Sequence, residues 1–184
     1  FHTYQRLPQN GFQVEKGAFG TARYALQYQL PDTSRGNSAY FAGDFSRTDG
    51  PFDYAQDLHR LKLFAKIHRR LSGDASLTVD AGGVSSAWDA SSLIPQRAVA
   101  DGRVSRWGSF NDAVGGNSAR QNLNLTYRVR SADNAEKFTA HAYLSRYHLQ
   151  LFSDYTFFYQ DPIFGDMVEQ TDSRLVSGLD SKYR

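Results

Sequence analysis

The stretch Asn122-Leu123-Asn124-Leu125-Thr126-Tyr127-Arg128-Val129 decides the fold. Its apolar residues occupy every second position, and polar or charged residues fill the places between. A strand sends successive side chains to opposite faces. Leu123, Leu125, Tyr127 and Val129 therefore share one face, and Asn122, Asn124, Thr126 and Arg128 share the other. The same period recurs on both sides of this stretch. Leu61, Leu63, Ala65 and Ile67 share a face, with Lys62, Lys66 and His68 opposite and Phe64 among them. Leu77, Val79 and Ala81 alternate with Thr78, Asp80 and Gly82, and Phe138, Ala140, Ala142 and Leu144 alternate with Thr139, His141, Tyr143 and Ser145. No comparable stretch keeps apolar residues at helical spacing for long.

The alternation predicts about eight strands, over 11–18, 22–29, 38–47, 59–71, 76–88, 118–130, 137–152 and 169–183. Several exceed the usual length of a globular strand and fit a tilted crossing of a bilayer, which takes roughly 9–11 residues. The connections carry a second rhythm. Pro31 to Asn37, Ser72 to Ala75 and Ser131 to Glu136 are short and rich in turn residues. Thr48 to Leu58, Asp89 to Asn117 and Ser153 to Val168 are longer and alternate with them. Short turns at one end and long loops at the other are the habit of outer-membrane barrels. The first connection, near Phe19 to Thr21, breaks the rhythm by being short. Alternation alone also suits a soluble carbohydrate-binding β-sandwich, with one face in a core and the other in water, although a sandwich has no reason to gather its long loops at one end.

Composition narrows the function classes. The chain has 184 residues with 13 Phe, 11 Tyr and 2 Trp, yet charged residues make up 22% and mean hydropathy is −0.56. Aromatics in an otherwise polar chain fit aromatic girdles around a polar lumen, and equally a sugar-binding sandwich. Cysteine is absent, which excludes disulfides and thiolate metal sites. A net charge of +2, with His68-Arg69-Arg70 as the densest basic cluster, argues against nucleic acid as a partner. No apolar run reaches the roughly 18 residues of a membrane helix.

Catalytic and cofactor motifs are missing: no Gly-x-Ser-x-Gly, no His-Glu-x-x-His, no phosphate loop and no dinucleotide fingerprint. Neither an enzyme nor a bound cofactor is expected. Gly17-Ala18-Phe19-Gly20 reads as a turn between strands, not as a phosphate cradle, because no helix follows it. His141 and His148 are an odd number of positions apart, so a regular strand separates them onto opposite faces. The acids Asp161 and Asp166 sit around Pro162 and Gly165, where turn chemistry accounts for them.

The connection 89–117 is the leading candidate for ligand contact. It carries Arg97, Arg103 and Arg106, flanked by Trp88 and Trp107. Guanidinium groups grip carboxylates, catecholates or phosphates in bidentate fashion, and indoles stack on flat or sugar-like ligands. The plainer reading makes the two tryptophans part of an aromatic belt and sets the arginines against lipopolysaccharide phosphates. Loop 153–168, with Tyr155, Phe157, Phe158 and Tyr159, suits a membrane interface better.

Three stretches resemble TonB-dependent receptors, the plugged transporters of the Gram-negative outer membrane. Tyr40-Phe41-Ala42-Gly43-Asp44-Phe45-Ser46-Arg47-Thr48-Asp49-Gly50-Pro51-Phe52 is similar to a barrel strand of that family running into its loop. Trp88-Asp89-Ala90-Ser91-Ser92-Leu93-Ile94-Pro95-Gln96-Arg97-Ala98-Val99, followed by Gly102, Ser105-Arg106-Trp107-Gly108-Ser109 and Gly115-Gly116, resembles an outer loop of the siderophore-receptor-like branch. Phe157-Phe158-Tyr159-Gln160-Asp161-Pro162, with Gly165-Asp166 and Glu169-Gln170, resembles the next outer loop. The resemblance spans essentially the whole chain. It implies an all-β, antiparallel transmembrane β-barrel segment, about eight strands of a larger plugged barrel. Residues 1–10 would be the end of the plug or its connection, and 11–184 the first barrel strands. It also implies energised uptake of a scarce nutrient such as an iron–siderophore. The expected partners are outer-membrane lipid and lipopolysaccharide, a small-molecule chelate, and the TonB complex, the last through segments outside this chain. The missing initiator Met, leader and terminal aromatic fit an excised or mature segment. The alternative in the same membrane is a small self-contained eight-strand barrel, an adhesin or porin-like protein, which requires its last strand to pair with its first.

Overall fold

The computed structural model describes residues 5–31, 36–71, 74–91, 93–131, 137–155, 159–162 and 166–184. The chain forms β1 (Gly11–Lys16), β2 (Ala22–Gln29), β3 (Ser38–Thr48), β4 (Leu58–Arg70) and β5 (Ala75–Asp89), then a short helix α1 (Gln96–Ala100), then β6 (Gly115–Arg130), β7 (Lys137–Asp154) and β8 (Met167–Tyr183). The eight strands lie side by side in chain order in one sheet, every neighbour antiparallel. Every expected strand is present, with each end within three residues of its expected place. A sandwich would need two packed sheets, whereas here there is one. β1 and β8 each have a single neighbour, so the sheet does not close on itself among the described residues.

The ladder register carries the alternation from strand to strand. Phe41, Ala65, Ala81, Leu123 and Leu144 lie opposite one another in turn. One position along, Ala42, Phe64, Gly82, Asn122 and Ser145 do the same on the other face. A slip of one residue would exchange the faces, so each strand's pattern specifies its own register. The result is one apolar face and one polar face, six or more strands wide.

The apolar face has no covering layer. The buried hydrophobic residues are Ala22, Tyr40, Ala98 and Val114, and none of the large side chains is fully buried among the described residues. The surface is 12676 Å², against about 8,900 Å² for a compact soluble monomer of this mass. Burial is also inverted relative to a water-soluble sheet. On β2 the apolar-face residues Tyr24, Leu26 and Tyr28 are 41%, 42% and 38% exposed, while Arg23, Ala25, Gln27 and Gln29 are half-buried. A curled sheet crowds its inner side chains and spreads its outer ones, so the polar set occupies the inside of the curve.

The first connection is a tight turn, as expected. Thr21 N donates to Ala18 O at 3.1 Å, and Phe19 and Gly20 both have positive φ, +56° and +66°, the arrangement whose twist matches a hairpin. A Cβ on Gly20 would collide with the Asp49 carboxylate. Phe19 O accepts from Asp49 N at 2.8 Å, which ties this hairpin to the end of β3. The helix α1 was not expected, because five residues are too few to carry a periodic signal. Local punctuation accounts for it: Pro95 stands at its N-cap and Gly102, at φ +70°, follows its end.

Candidate functional site

The apolar face carries a diagonal band. It consists of four successive same-face positions on each central strand: Ala22 to Tyr28, Ala39 to Phe45 (Gly43 included), Leu61 to Ile67, Leu77 to Gly83, Leu123 to Val129 and Phe138 to Leu144. Polar residues flank these windows: Arg47 on β3, His59 and Arg69 on β4, Ser85 on β5, Gln121 on β6 and Arg146 on β7. The windows are displaced from one strand to the next. The centre on β2 is Ala25, and the ladder carries Ala25 to Tyr147 on β7. The centre on β7 is His141, six residues away. Six residues over five strand-to-strand steps correspond to a strand tilt of roughly 40° to the band's normal, at about 3.3 Å per residue and about 4.8 Å between strands. From His59 to Arg69 the band is then about 25 Å tall. β8 departs from the pattern, since Ser177 and Ser181 interrupt Leu175, Leu179 and Tyr183.

The polar face is rich in cations. Lys62, Arg120 and Arg174 stand on one ladder row, from β4, β6 and β8. Several acids of this face are already engaged. Arg23 holds Asp44 at 2.6 Å and Glu15 at 2.8 Å, Arg174 holds Asp172, and Asn124 donates to Asp80 at 2.9 Å. Arg174 also lies 5.3 Å from the Tyr147 ring centroid. A cavity of about 590 Å³ opens on β1 to β4, lined on this face by Gln13, Arg23, Gln27, Asp44, Lys62 and Phe64. Residues 5–10 cross the same face at the short-turn end. Leu7 N donates to Gln29 Oε1 at 2.9 Å, Ser38 Oγ to Gln5 O at 3.0 Å, and Gln27 Nε2 to Gln9 O at 3.1 Å. Among the described residues one buried side-chain oxygen has no partner, Ser86 Oγ. Leaving a buried hydroxyl unpaired costs about 1–3 kcal/mol.

At the other end the long connections form a layer. Asp53 N donates to Trp107 O at 2.9 Å, Ser105 Oγ bonds the Asp53 carboxylate, and the Phe52 and Trp107 rings are 6.1 Å apart. Tyr54 OH donates to Asp112 O at 3.0 Å. Desolvation, with Asp89 and Asp112 nearby, pushes the Tyr54 phenol above its ordinary value. Asn111 Nδ2 donates at 2.9 Å to Asp154, which is 2% exposed. The connections after β3 and after β5 therefore pack as one ordered unit, pinned to β7.

Of the five candidate residues, Arg106 and Trp107 meet in a ring contact. Arg106 lies 5.9 Å from the Trp107 ring centroid, and Trp107 is 52% exposed. Arg103 pairs with Asp101 at 3.3 Å. Arg97 is exposed on α1. Trp88 lies on β5, half-buried, beside a cavity of about 260 Å³ that Asp57, His59, Asp89, Asn117 and Phe152 also line. Phe157 and Phe158 of the next loop lie outside the described residues, as does Ser92. Among the described residues no group of three or more His, Asp or Glu is placed to hold a metal ion. The cations Arg60, Lys62 and Arg120 lie on strands and not in the long loops. Their signal was present in the alternation, but only the register shows that separate strands bring them to one place. No protein-family model matches the chain, and neither curated proteins nor solved structures give a significant match.

Proposed function

We propose that this chain is part of the wall of an outer-membrane β-barrel, and specifically of a TonB-dependent receptor that takes up a scarce nutrient such as an iron–siderophore. The observation that carries the membrane reading is the diagonal apolar band. Its height of about 25 Å and its roughly 40° tilt coincide with the lipid-facing belt and strand inclination of such barrels. Lipid supplies the covering layer that an exposed apolar sheet face otherwise lacks. A polar inner face then lines an aqueous interior. Open sheet edges are costly in lipid, at several kcal/mol per unpaired backbone group, so β1 and β8 call for further strands beside them. The same argument disfavours a self-contained eight-strand barrel, and the single sheet disfavours a sandwich. The receptor class rests on the three sequence stretches that resemble that family. The path of residues 5–10 across the inner face suits a connection entering from a plug. Trp88, Arg97, Arg103, Arg106 and Trp107 are the outer-loop contacts proposed for the ligand.

Fractionation of cells making the full-length protein tests the membrane reading. Recovery in the outer-membrane fraction, resistant to urea, is expected. Folded, monomeric protein in the aqueous fraction without detergent would falsify it. For the receptor class, deleting the gene should abolish uptake of an iron chelate that also depends on TonB. Growth on every chelate tried, unchanged by the deletion, removes that class.

A further inference from the structure

We propose that residues 5–10 form a releasable strap across the short-turn end of the polar face, latched by Asn10 and Gln29. The β1–β2 ladder ends at the pair Gly11 and Gln27. Gln29 has a ladder partner on β3, Tyr40, and none on β1. Its backbone N–H donates instead to Asn10 Oδ1 at 2.7 Å. An Asn side chain that takes a backbone donor in this way stands in for the next rung of a ladder and ends it. The Gln29 side chain then holds the chain that precedes β1. Its Oε1 accepts from Leu7 N at 2.9 Å, and its Nε2 donates to Ala39 O at 3.0 Å. Both ends of one amide are used, so it bridges the strap to β3, and the bonds it makes fix its orientation.

Burial marks where the strap lies. Ser38 and Tyr40 are 6% and 5% exposed, on the polar face of a single sheet. Ser38 Oγ donates to Gln5 O at 3.0 Å, and Tyr40 stands opposite Gln29. Further along, Gln27 Nε2 donates to Gln9 O at 3.1 Å. Gln9 and Gln27 both line the cavity of about 590 Å³, so the strap forms part of its wall. Each of the four bonds between strap and sheet has a side chain at one end. β1 to β3, by contrast, are joined by backbone ladders. The strap can therefore detach without breaking a rung. A net hydrogen bond shifts such an equilibrium only about fivefold, and the conformational entropy of ordering residues 5–10 opposes all four. Segments held in this way open well before the whole fold does. Release uncovers Ser38 and opens the cavity on the side of Gln9. The strap needs only the folded sheet, so it goes beyond the receptor reading and does not rest on it.

The test is hydrogen exchange of the full-length protein, folded in detergent micelles and read peptide by peptide by mass spectrometry. Amides of residues 5–10 should exchange faster than those of β2 and β3, and more slowly than in the unfolded chain. Gln29→Ala should speed exchange in the peptide holding Leu7 about fivefold. β2 and β3 should keep their rates, because Ala39 O retains Leu30 N as a donor at 2.9 Å. Asn10→Ala should act likewise, while Asn10→Asp, which keeps the acceptor, should stay near the unsubstituted protein. The second readout is access to the wall. This chain has no cysteine, so Ser38→Cys places a single thiol within it, under the strap. A bulky water-soluble thiol reagent should label that position about fivefold faster once Gln29→Ala is added. Exchange in residues 5–10 as slow as in β2 overturns the proposal, since strap and sheet then open together; exchange at the unfolded rate overturns it because no strap is closed. Acceleration by Gln29→Ala that spreads through β2 and β3 makes Gln29 a support of the sheet and not a latch. Labelling that Gln29→Ala leaves unchanged shows that the strap does not cover the wall.

Discussion

Leu63 and Gln121 occupy the same ladder row, with Gly83 between them. A soluble sheet exposed to water treats them alike, whereas a tilted sheet in a bilayer does not. The window centre on β4 is Phe64, one residue from Leu63, and the centre on β6 is Thr126, five residues from Gln121. At roughly 40° of tilt these offsets are about 2.5 Å and about 13 Å from the midplane. Arginine on the lipid face costs about 2–4 kcal/mol near the midplane and about 0–1 kcal/mol near the interface. Leu63→Arg should therefore destabilise the protein by about 2–4 kcal/mol and Gln121→Arg by no more than about 1 kcal/mol. In water both substitutions fall within about 0.5 kcal/mol, since Leu63 is already 57% exposed. The assay is reversible guanidinium unfolding of the full-length protein in phosphatidylcholine vesicles, followed by tryptophan fluorescence. Equal costs at the two positions, or a larger cost at Gln121, would refute the diagonal band as a membrane belt.

Other expectations follow from local geometry. Gly20→Ala should cost about 1–3 kcal/mol in the same unfolding assay, because alanine must adopt φ near +66° and its Cβ meets Asp49; an unchanged midpoint counts against the turn. Asn111→Ala removes a donor to the buried Asp154 carboxylate and should weaken the loop layer by about 1–3 kcal/mol. Limited proteolysis should then cut faster within 90–114, and unaltered cleavage counts against the pinning. The Tyr54 hydroxyl should stay protonated past the ordinary phenol range. Its folded-state pKa is raised, so the contact with Asp112 O persists below the ordinary value and is lost as pH rises through the raised one. Ultraviolet titration of the protein against Tyr54→Phe should show the missing phenol as a late-titrating one; an early loss contradicts the burial argument.

Most of the fold was legible because strand alternation is a local signal. Leu61-Lys62-Leu63 or Asn124-Leu125-Thr126 declares its period without reference to any distant residue. The strand ends were legible from turn residues for the same reason, while α1 was too short to have a period. The candidate site was legible only in part. Arg106 and Trp107 are adjacent in the chain and meet in space, but Trp88 belongs to β5 and Arg97 to α1, and the 25 residues between β5 and β6 fold back on the neighbouring connection.

By itself the sequence determined the all-β class, the eight strands, which residues share a face on each strand, and which connections are long. Each of these depends on spacing along the chain. The tertiary structure decided how the faces line up across strands. Register is a relation between residues far apart in sequence, and no single strand contains it. It turned separate apolar runs into one band with a height and a tilt, and it set Arg60 and Lys62 of β4 and Arg120 of β6 on either side of Ser86 on β5.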